Sequence, residues 1–129
     1  MGKKLTITEL IAQKEQLKQK TKRTLTLHIE SLQGEIVIEE PSRALALEAI
    51  EMAQDDMKRE MSDPFVVYNC VIEPNLKDPE LLKAYGCVEP TDIVDMIFKP
   101  GEIGAISGHA LQLAGYGDGV KKMITDLKN

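Results

Sequence analysis

The stretch DPFVVYNCVIEPNLKDPELLKAYGCVEPTDIVDMIFKPGE, residues 63–102, decides how this chain can fold. It holds five of the six prolines, spaced five to eleven residues apart, and both cysteines and both phenylalanines. A proline inside a helix removes a backbone hydrogen bond and clashes with the preceding turn. The stretch therefore predicts several short helices joined at rigid turns.

Aspartate–proline pairs mark where two of these helices begin. Asp63-Pro64 and Asp78-Pro79 each supply an N-cap residue followed by a proline at the first helical position. The apolar run after Pro64 (residues 65–72) suits a buried helix or a buried strand, and the aspartate–proline start favours the helix. Further helices are predicted over residues 79–85, 90–98, 102–114 and 120–127, with a loop at residues 115–119.

The first residues predict a basic amphipathic helix. Thr6 and Glu9 form a capping-box pattern, and the helix is expected to run from residue 6 to residue 20. One face of it carries the apolar residues Ile7, Leu10, Ile11 and Leu17. This apolar stripe is thin, so we expect the helix to need a partner surface.

A β-hairpin is predicted next. Apolar and polar residues alternate over residues 24–32, which is typical of a half-buried strand. Gln33-Gly34 is expected to form a tight turn into a second strand over residues 35–39. The first strand has no proline and few charges, so its outer edge is open to strand addition.

Ser42 is the predicted N-cap of the longest helix, which we expect to extend through Met61. Its apolar face recurs at helical spacing, with charged residues on the opposite face. The apolar positions are Ala46, Ala49, Ile50, Ala53, Met57 and Met61.

Together these elements predict a single α+β domain over residues 1–129, mainly helical, with an antiparallel β-hairpin near the N-terminus. Its parts are a basic helical arm (1–22), the hairpin (23–40) and a helical body (42–129). Residues 1–23 carry seven basic and two acidic side chains, whereas residues 24–129 carry nine basic and nineteen acidic ones. A basic arm on an acidic body favours self-association or an acidic partner.

The chain shows no secretory signal and no apolar run long enough to span a membrane. Its two cysteines, Cys70 and Cys87, are accordingly expected to be reduced thiols. These features predict a soluble cytoplasmic protein that does not bind membranes.

No motif for catalysis, a cofactor or a metal stands out. The cysteines and the two histidines, His28 and His109, lack the paired spacings of zinc motifs. The glycines at 101, 104 and 108 do not follow a predicted strand, so close helix packing explains them better than a dinucleotide site. We therefore expect a protein without cofactor or metal and without enzymatic activity.

Nucleic-acid binding is also disfavoured. The lysines of residues 14–23 could contact phosphates, but they lack interleaved aromatic residues. The acidic remainder of the chain would repel a nucleic acid. A basic helix face that docks on another subunit is the preferred interpretation.

Two segments resemble a known family. VIEPNLKDPELLKAYG (residues 71–86) and EPTDIVDMIF (residues 89–98) are its most specific parts. The lysine-rich KEQLKQKTKR segment, the hairpin and EEPSRALALEAIEMA fit as well. With these segments the chain resembles the XkdN-like tail assembly chaperones of Gram-positive phages and defective prophages, over nearly its whole length.

The resemblance implies a non-catalytic chaperone of the host cytoplasm that is absent from the mature virion. Its implied partners are the tape measure protein, the tail tube protein and a frameshifted longer form of itself, of which this chain resembles the short form. A homo-oligomer is also expected. No functional residues carry over from the family.

The residues themselves suggest where partners could bind. The alternating strand and the methionines supply adaptable apolar surface, although methionines at helical spacing are also common in cores. The predicted partner-binding residues are Leu25, Leu27, Ile29, Met52, Met57 and Met61.

Three alternatives stay open at this point. One is a small enzyme that uses Cys70 or Cys87. Another is a nucleic-acid-binding regulator of a prophage that acts through residues 14–23. The third is a structural component of the tail.

Overall fold

A computed structural model describes residues 3–18 and 21–117 of the chain. The α+β prediction is confirmed: helices dominate, and an antiparallel sheet that begins with the hairpin lies near the N-terminus. In chain order the elements are α1 (Ile7–Ala12), α2 (Lys14–Lys18), β1 (Thr24–Ile29), β2 (Gly34–Glu39), α3 (Arg43–Gln54), α4 (Arg59–Cys70), β3 (Val71–Glu73), α5 (Pro79–Ala84), α6 (Asp92–Ile97) and α7 (Pro100–Leu113).

The sheet has three strands in the order β1–β2–β3, with both neighbouring pairs antiparallel. Its third strand was not predicted. Val71 pairs with Ile38, and Glu73 pairs with Val37, across a register irregularity in β2. The hairpin therefore gains its third strand from its own chain, and β1 forms one edge of the sheet.

The hairpin is confirmed, but its turn differs from the prediction. The first strand ends at Ile29, and a 3₁₀ turn over Glu30–Leu32 reverses the chain. Gln33 follows in the left-handed conformation with φ of 51°. Gly34 is already the first residue of β2, where it pairs with Ile29.

The helix predicted over residues 42–61 is wrong in its second half. Ser42 caps α3 as expected, since its hydroxyl accepts a 3.2 Å hydrogen bond from the Leu45 N–H. However, α3 ends at Gln54, and a turn over residues 55–58 separates it from α4. The carboxylate of Asp55 accepts a hydrogen bond from the Met57 N–H in this turn, a local bond that competes with the helix.

Pro64 does not begin a helix as predicted but lies inside α4, which starts five residues earlier. The apolar run after Pro64 is helical through Cys70, which was the favoured alternative, and then enters β3. Asp78-Pro79 does cap and begin α5, and Gly86 follows that helix with φ of 65°, as expected. The predicted helices over residues 90–98 and 102–114 correspond to α6 and α7.

Three further predictions concern the N-terminal helix, the C-terminal helix and the glycines of α7. The helix over residues 6–20 is divided at Gln13 into α1 and α2, although the Thr6–Glu9 capping box is present as predicted. The predicted helix over residues 120–127 lies outside the described residues. Close packing at the α7 glycines is not observed. A Cβ added at Gly101 or Gly108 would meet no atom within 4 Å, and one added at Gly104 would lie 3.9 Å from a carboxylate oxygen of Asp63, an ordinary contact distance.

The core lies between the sheet and helices α4, α6 and α7. Its buried residues are mainly aliphatic, together with Phe98 and Cys70, and Phe65 packs against them while partly buried. Helix α4 packs against both α3 and α7, and α7 also contacts β1 and β2. The core residues with no exposed surface are Ile38, Val66, Val67, Leu76, Ile93, Val94 and Ala110.

Candidate partner-binding surfaces

Strand β1 offers an open sheet edge. It pairs with β2 on one side, and within residues 3–18 and 21–117 no strand lies on the other side. Leu25 and Leu27 are half-buried against the core, and Ile29 is buried in it. The apolar side chains of β1 therefore anchor the strand, while its backbone remains available at the edge.

An apolar groove of about 220 Å³ runs beside the end of β1, between this strand and α7. Leu27, Ile29 and Ile106 supply apolar side chains, and the exposed Ala105 lies at its opening. Such a volume suits one or two apolar side chains, which is less than a drug-sized ligand requires. We name this feature the β1–α7 groove; its full lining is Leu27, His28, Ile29, Glu30, Glu102, Ala105, Ile106 and His109.

Glu102 fixes α7 relative to the hairpin turn at one side of this groove. Its carboxylate accepts a 2.9 Å hydrogen bond from the Lys99 N–H and another of 2.9 Å from the Ser31 hydroxyl. The Lys99 bond is the main reason why the pKa of Glu102 lies below its ordinary value, and the Ser31 bond adds to the effect. The ionised carboxylate thus holds the two walls of the groove together.

A second exposed apolar surface lies at the α3–α4 junction. Met52 is half-buried near the end of α3, Met57 lies in the turn, and Met61 lies in the first turns of α4. Met57 is 88% exposed and Met61 is 52% exposed. The three side chains were expected on one helix but come from two helices and a turn; we call them the methionine surface.

Acidic side chains border the methionine surface at Met52. A groove of about 200 Å³ beside Met52 is lined by Glu48, Glu51, Asp55 and Lys58. Asp56 is close by but is already bonded to Arg59. The methionine surface therefore combines flexible apolar side chains with an acidic border.

The N-terminal arm, which we define as α1 and α2, buries none of its residues. Its apolar stripe is exposed instead: Ile7 is 76% and Ile11 is 61% exposed. Leu17 alone lies in a groove with the end of α7, beside Leu113 and Gly115. Sequence reasoning anticipated that this helix needs a partner, but the arm was not included among the predicted binding residues.

The cysteines do not form a reactive pair. Cys70 is buried in the core, and burial raises the pKa of its thiol to about 11, with a further contribution from the negative charge of Glu39. Cys87 is half-buried, with its sulfur 3.9 Å from that of Met96. A thiol with so high a pKa is a poor nucleophile at neutral pH.

No candidate metal centre is found either. His28 and His109 both line the β1–α7 groove, and the imidazole of His28 lies 3.4 Å from Glu30. Yet among the described residues, no three histidine, cysteine or carboxylate side chains are grouped so that they could hold a metal ion. Likewise, no helix in the described ranges is long and apolar enough to cross a membrane.

The structure thus divides the six predicted binding residues between two surfaces. Leu27 and Ile29 lie in the β1–α7 groove with Leu25 further along the strand, and the methionines lie at the α3–α4 junction. The α7 side of the groove, Ala105 and Ile106, was not foreseen. The apolar periodicity of α7 predicts that the helix packs on the core, but not which strand it lies beside.

Comparison with known proteins identifies the class of protein to which these surfaces belong. A model of the family described as "Phage XkdN-like tail assembly chaperone protein, TAC" matches residues 7–128, which is almost the whole chain. No curated protein and no solved structure matches the chain significantly.

The chain belongs to the XkdN-like family of phage tail assembly chaperones. The resemblance seen in the sequence is thereby confirmed. The general role of this chain is therefore in the assembly of a phage tail, and its partners belong in general to tail assembly.

Proposed function

We propose that this protein is a non-catalytic chaperone that binds the tape measure protein and assists assembly of the tail tube around it. It would act in the host cytoplasm and leave before the virion is complete. The tail tube protein and a frameshifted longer form of the chain are further proposed partners. Membership of the chaperone family supports this role.

The open edge of β1 beside the β1–α7 groove is the observation that carries the proposal. A sheet edge binds an extended segment through main-chain hydrogen bonds, which depend little on the sequence of that segment. The adjacent groove can accept one or two of the segment's apolar side chains. Together they suit a chaperone that must bind many different segments of one long partner.

The stage of assembly at which the chaperone would bind follows from the same geometry. An extended segment is available only before the tape measure protein has reached its assembled form, so binding at a strand edge selects the unassembled chain. Main-chain pairing also covers the backbone groups through which such chains aggregate. The segment would be released when tail tube subunits replace the chaperone.

Co-expression with the tape measure protein tests the proposal, with the soluble, co-purified tape measure protein as the readout. Ala105→Trp places a large side chain at the opening of the groove, from an exposed position. We expect the wild type to keep the partner soluble and the variant to retain about tenfold less, equivalent to about 1.4 kcal/mol.

Ala105→Ser is the matched control, because it changes the same position without filling the groove, and it should behave as the wild type. If the wild type neither solubilises nor binds the tape measure protein, the proposed function is wrong. If Ala105→Trp binds as well as the wild type, the function stands but the groove is not its site.

A further inference from the structure

The N-terminal arm has the features of a docking element whose partner is missing. Ile7, Leu10 and Ile11 lie on one face of α1 and are all exposed. Lys14, the first residue of α2, follows directly after the break at Gln13 and is exposed as well. An amphipathic helix this short is unstable in water without a surface to cover its apolar face.

We propose that the arm of one copy docks on the methionine surface of a second copy, so that the protein self-associates head to tail. The arm would place Ile7, Leu10 and Ile11 against Met57 and Met61. Its lysines would face the acidic border of the methionine surface.

Charge complementarity selects a second copy as the occupant. Residues 1–23 carry seven basic and two acidic side chains, a net charge of +5. Lys3 pairs with Glu9 and Lys22 pairs with Glu39, so the lysines that the arm itself can present to a second copy are Lys14 and Lys18. Residues 48–61, which carry the methionine surface, have five acidic and two basic side chains, a net charge of −3. One of those bases, Arg59, already pairs with Asp56, which leaves four acids, Glu48, Glu51, Asp55 and Glu60, and the first three line the groove beside Met52.

The two surfaces of the proposed contact, the stripe of α1 and the methionine surface, are also both apolar. Met57 and Met61 are among the exposed large apolar residues, and methionine adapts its shape to a facing helix. The stripe of α1 presents branched side chains of fixed shape. Helix-in-groove recognition commonly combines such anchors at i, i+3 and i+4 with charged flanks.

The geometry of the contact gives open assemblies. Two different surfaces of one chain are complementary, so each copy can offer its arm to one neighbour and its methionine surface to another. Such a heterologous contact generates filaments or rings. It also leaves the β1 edge and the β1–α7 groove of every copy free, since these lie on other elements.

The mass of the purified full-length chain, measured by sedimentation velocity without any partner protein, tests the inference. The wild type is expected to form concentration-dependent oligomers. Ile7→Glu with Ile11→Glu should give monomers, because it puts charges into the stripe, and Met57→Glu with Met61→Glu should do the same from the other side.

Mixing the two double variants is the decisive step. Each retains one intact half of the contact, so the mixture is expected to form a one-to-one dimer and nothing larger.

Charge reversal gives a second test. Lys14→Glu and Glu51→Lys should each weaken association, and the two substitutions combined in one chain should restore it. Higher salt should weaken the wild-type oligomers.

Two matched variants serve as controls and should leave the oligomers unchanged. Ala12→Glu adds the same acid to α1 away from its stripe, and Val88→Glu adds it at a residue that, like Met57, is 88% exposed. A wild type that is monomeric at its highest soluble concentration overturns the inference. So do double variants that still oligomerise, or a mixture that stays monomeric. Because no tape measure protein is present, this result is independent of the proposed function.

Discussion

The Ser62 hydroxyl donates a 2.8 Å hydrogen bond to the backbone carbonyl oxygen of Ala49, and both residues are buried. This bond joins the second turn of α4 to the middle of α3, close to the methionine surface. The two helices follow each other in the chain and are separated only by the turn over residues 55–58. Ser62 thus helps to hold α4 against α3 on either side of this turn.

Ser62→Ala removes this bond and is expected to lower the free energy of unfolding by about 1 kcal/mol. The loss stays moderate because alanine fits the same space and favours a helix more than serine does. Urea denaturation with the slope held common to both proteins measures the change.

Ser107→Ala is the matched comparison on α7. Ser107 is as buried as Ser62, but its hydroxyl has no hydrogen-bond partner within the described part of the chain. Its removal should leave the stability unchanged or raise it by up to about 1 kcal/mol. Equal losses in the two variants would show that the Ser62 bond contributes nothing specific.

Cys70 and Cys87 should differ strongly in reactivity. At pH 8 a thiol with a pKa of about 11 is ionised in about one molecule in a thousand, and Cys70 is buried as well. With a disulfide reagent, one thiol per native chain should react readily, and mass spectrometry should place it at Cys87. Rapid labelling of Cys70 in the native protein would contradict its burial.

Ionisation of Cys70 should also make stability depend on pH at the alkaline end. Its pKa rises from an ordinary value of 9.0 to about 11 on folding, so the folded state holds the proton more tightly. The stabilisation is complete below pH 9 and is lost as the pH rises toward 11. Cys70→Ala should remove this part of the alkaline loss, as measured by thermal melting in a pH series.

Glu102 should make the stability depend on pH at the acidic end of the range. Its hydrogen bonds from Lys99 and Ser31 lower the pKa of the carboxyl from 4.5, so its contribution is present above that pH. The contribution is lost as the pH falls through the lowered value. Glu102→Gln should therefore lower the melting temperature at pH 7, and this difference should shrink as the pH falls below 4.5. A constant difference across this range would mean that the charge is not involved.

The local signals in the sequence were accurate where a single residue decides the structure. Thr6 with Glu9, Ser42 and Asp78 all cap helices as predicted, because each bond joins groups within three residues of each other. Gly86 likewise follows a helix in the left-handed conformation that glycine adopts without strain.

The errors arose where distant contacts decide the structure. The apolar spacing of Met57 and Met61 continues that of α3, so it gave no sign that the helix breaks. The break lets α4 begin before Pro64 and pack back against α3. Strand β3 has only three residues and forms because Val71 meets Ile38 in the folded chain, which no local pattern records.

For the candidate sites, too, local sequence predicted the elements, whereas distant contacts decided how those elements come together. The alternation of Leu25, Leu27 and Ile29 predicted a strand with an apolar face, and β1 has one. That β1 lies beside Ala105 depends on how α7 packs against the sheet. The exposed arm was foreseen from its thin apolar stripe, whereas the acidic border of the methionine surface depends on the turn between α3 and α4.

Amide hydrogen exchange of the purified chaperone, alone and with the tape measure protein, tests the central claim most directly. If the chaperone binds extended segments at the β1 edge, the amides within residues 24–29 that do not bond to β2 should exchange at least about tenfold more slowly in the complex. Residues 85–91, which connect α5 to α6, should exchange as before. Stable binding with unchanged exchange in β1, or no binding at all, would contradict the account.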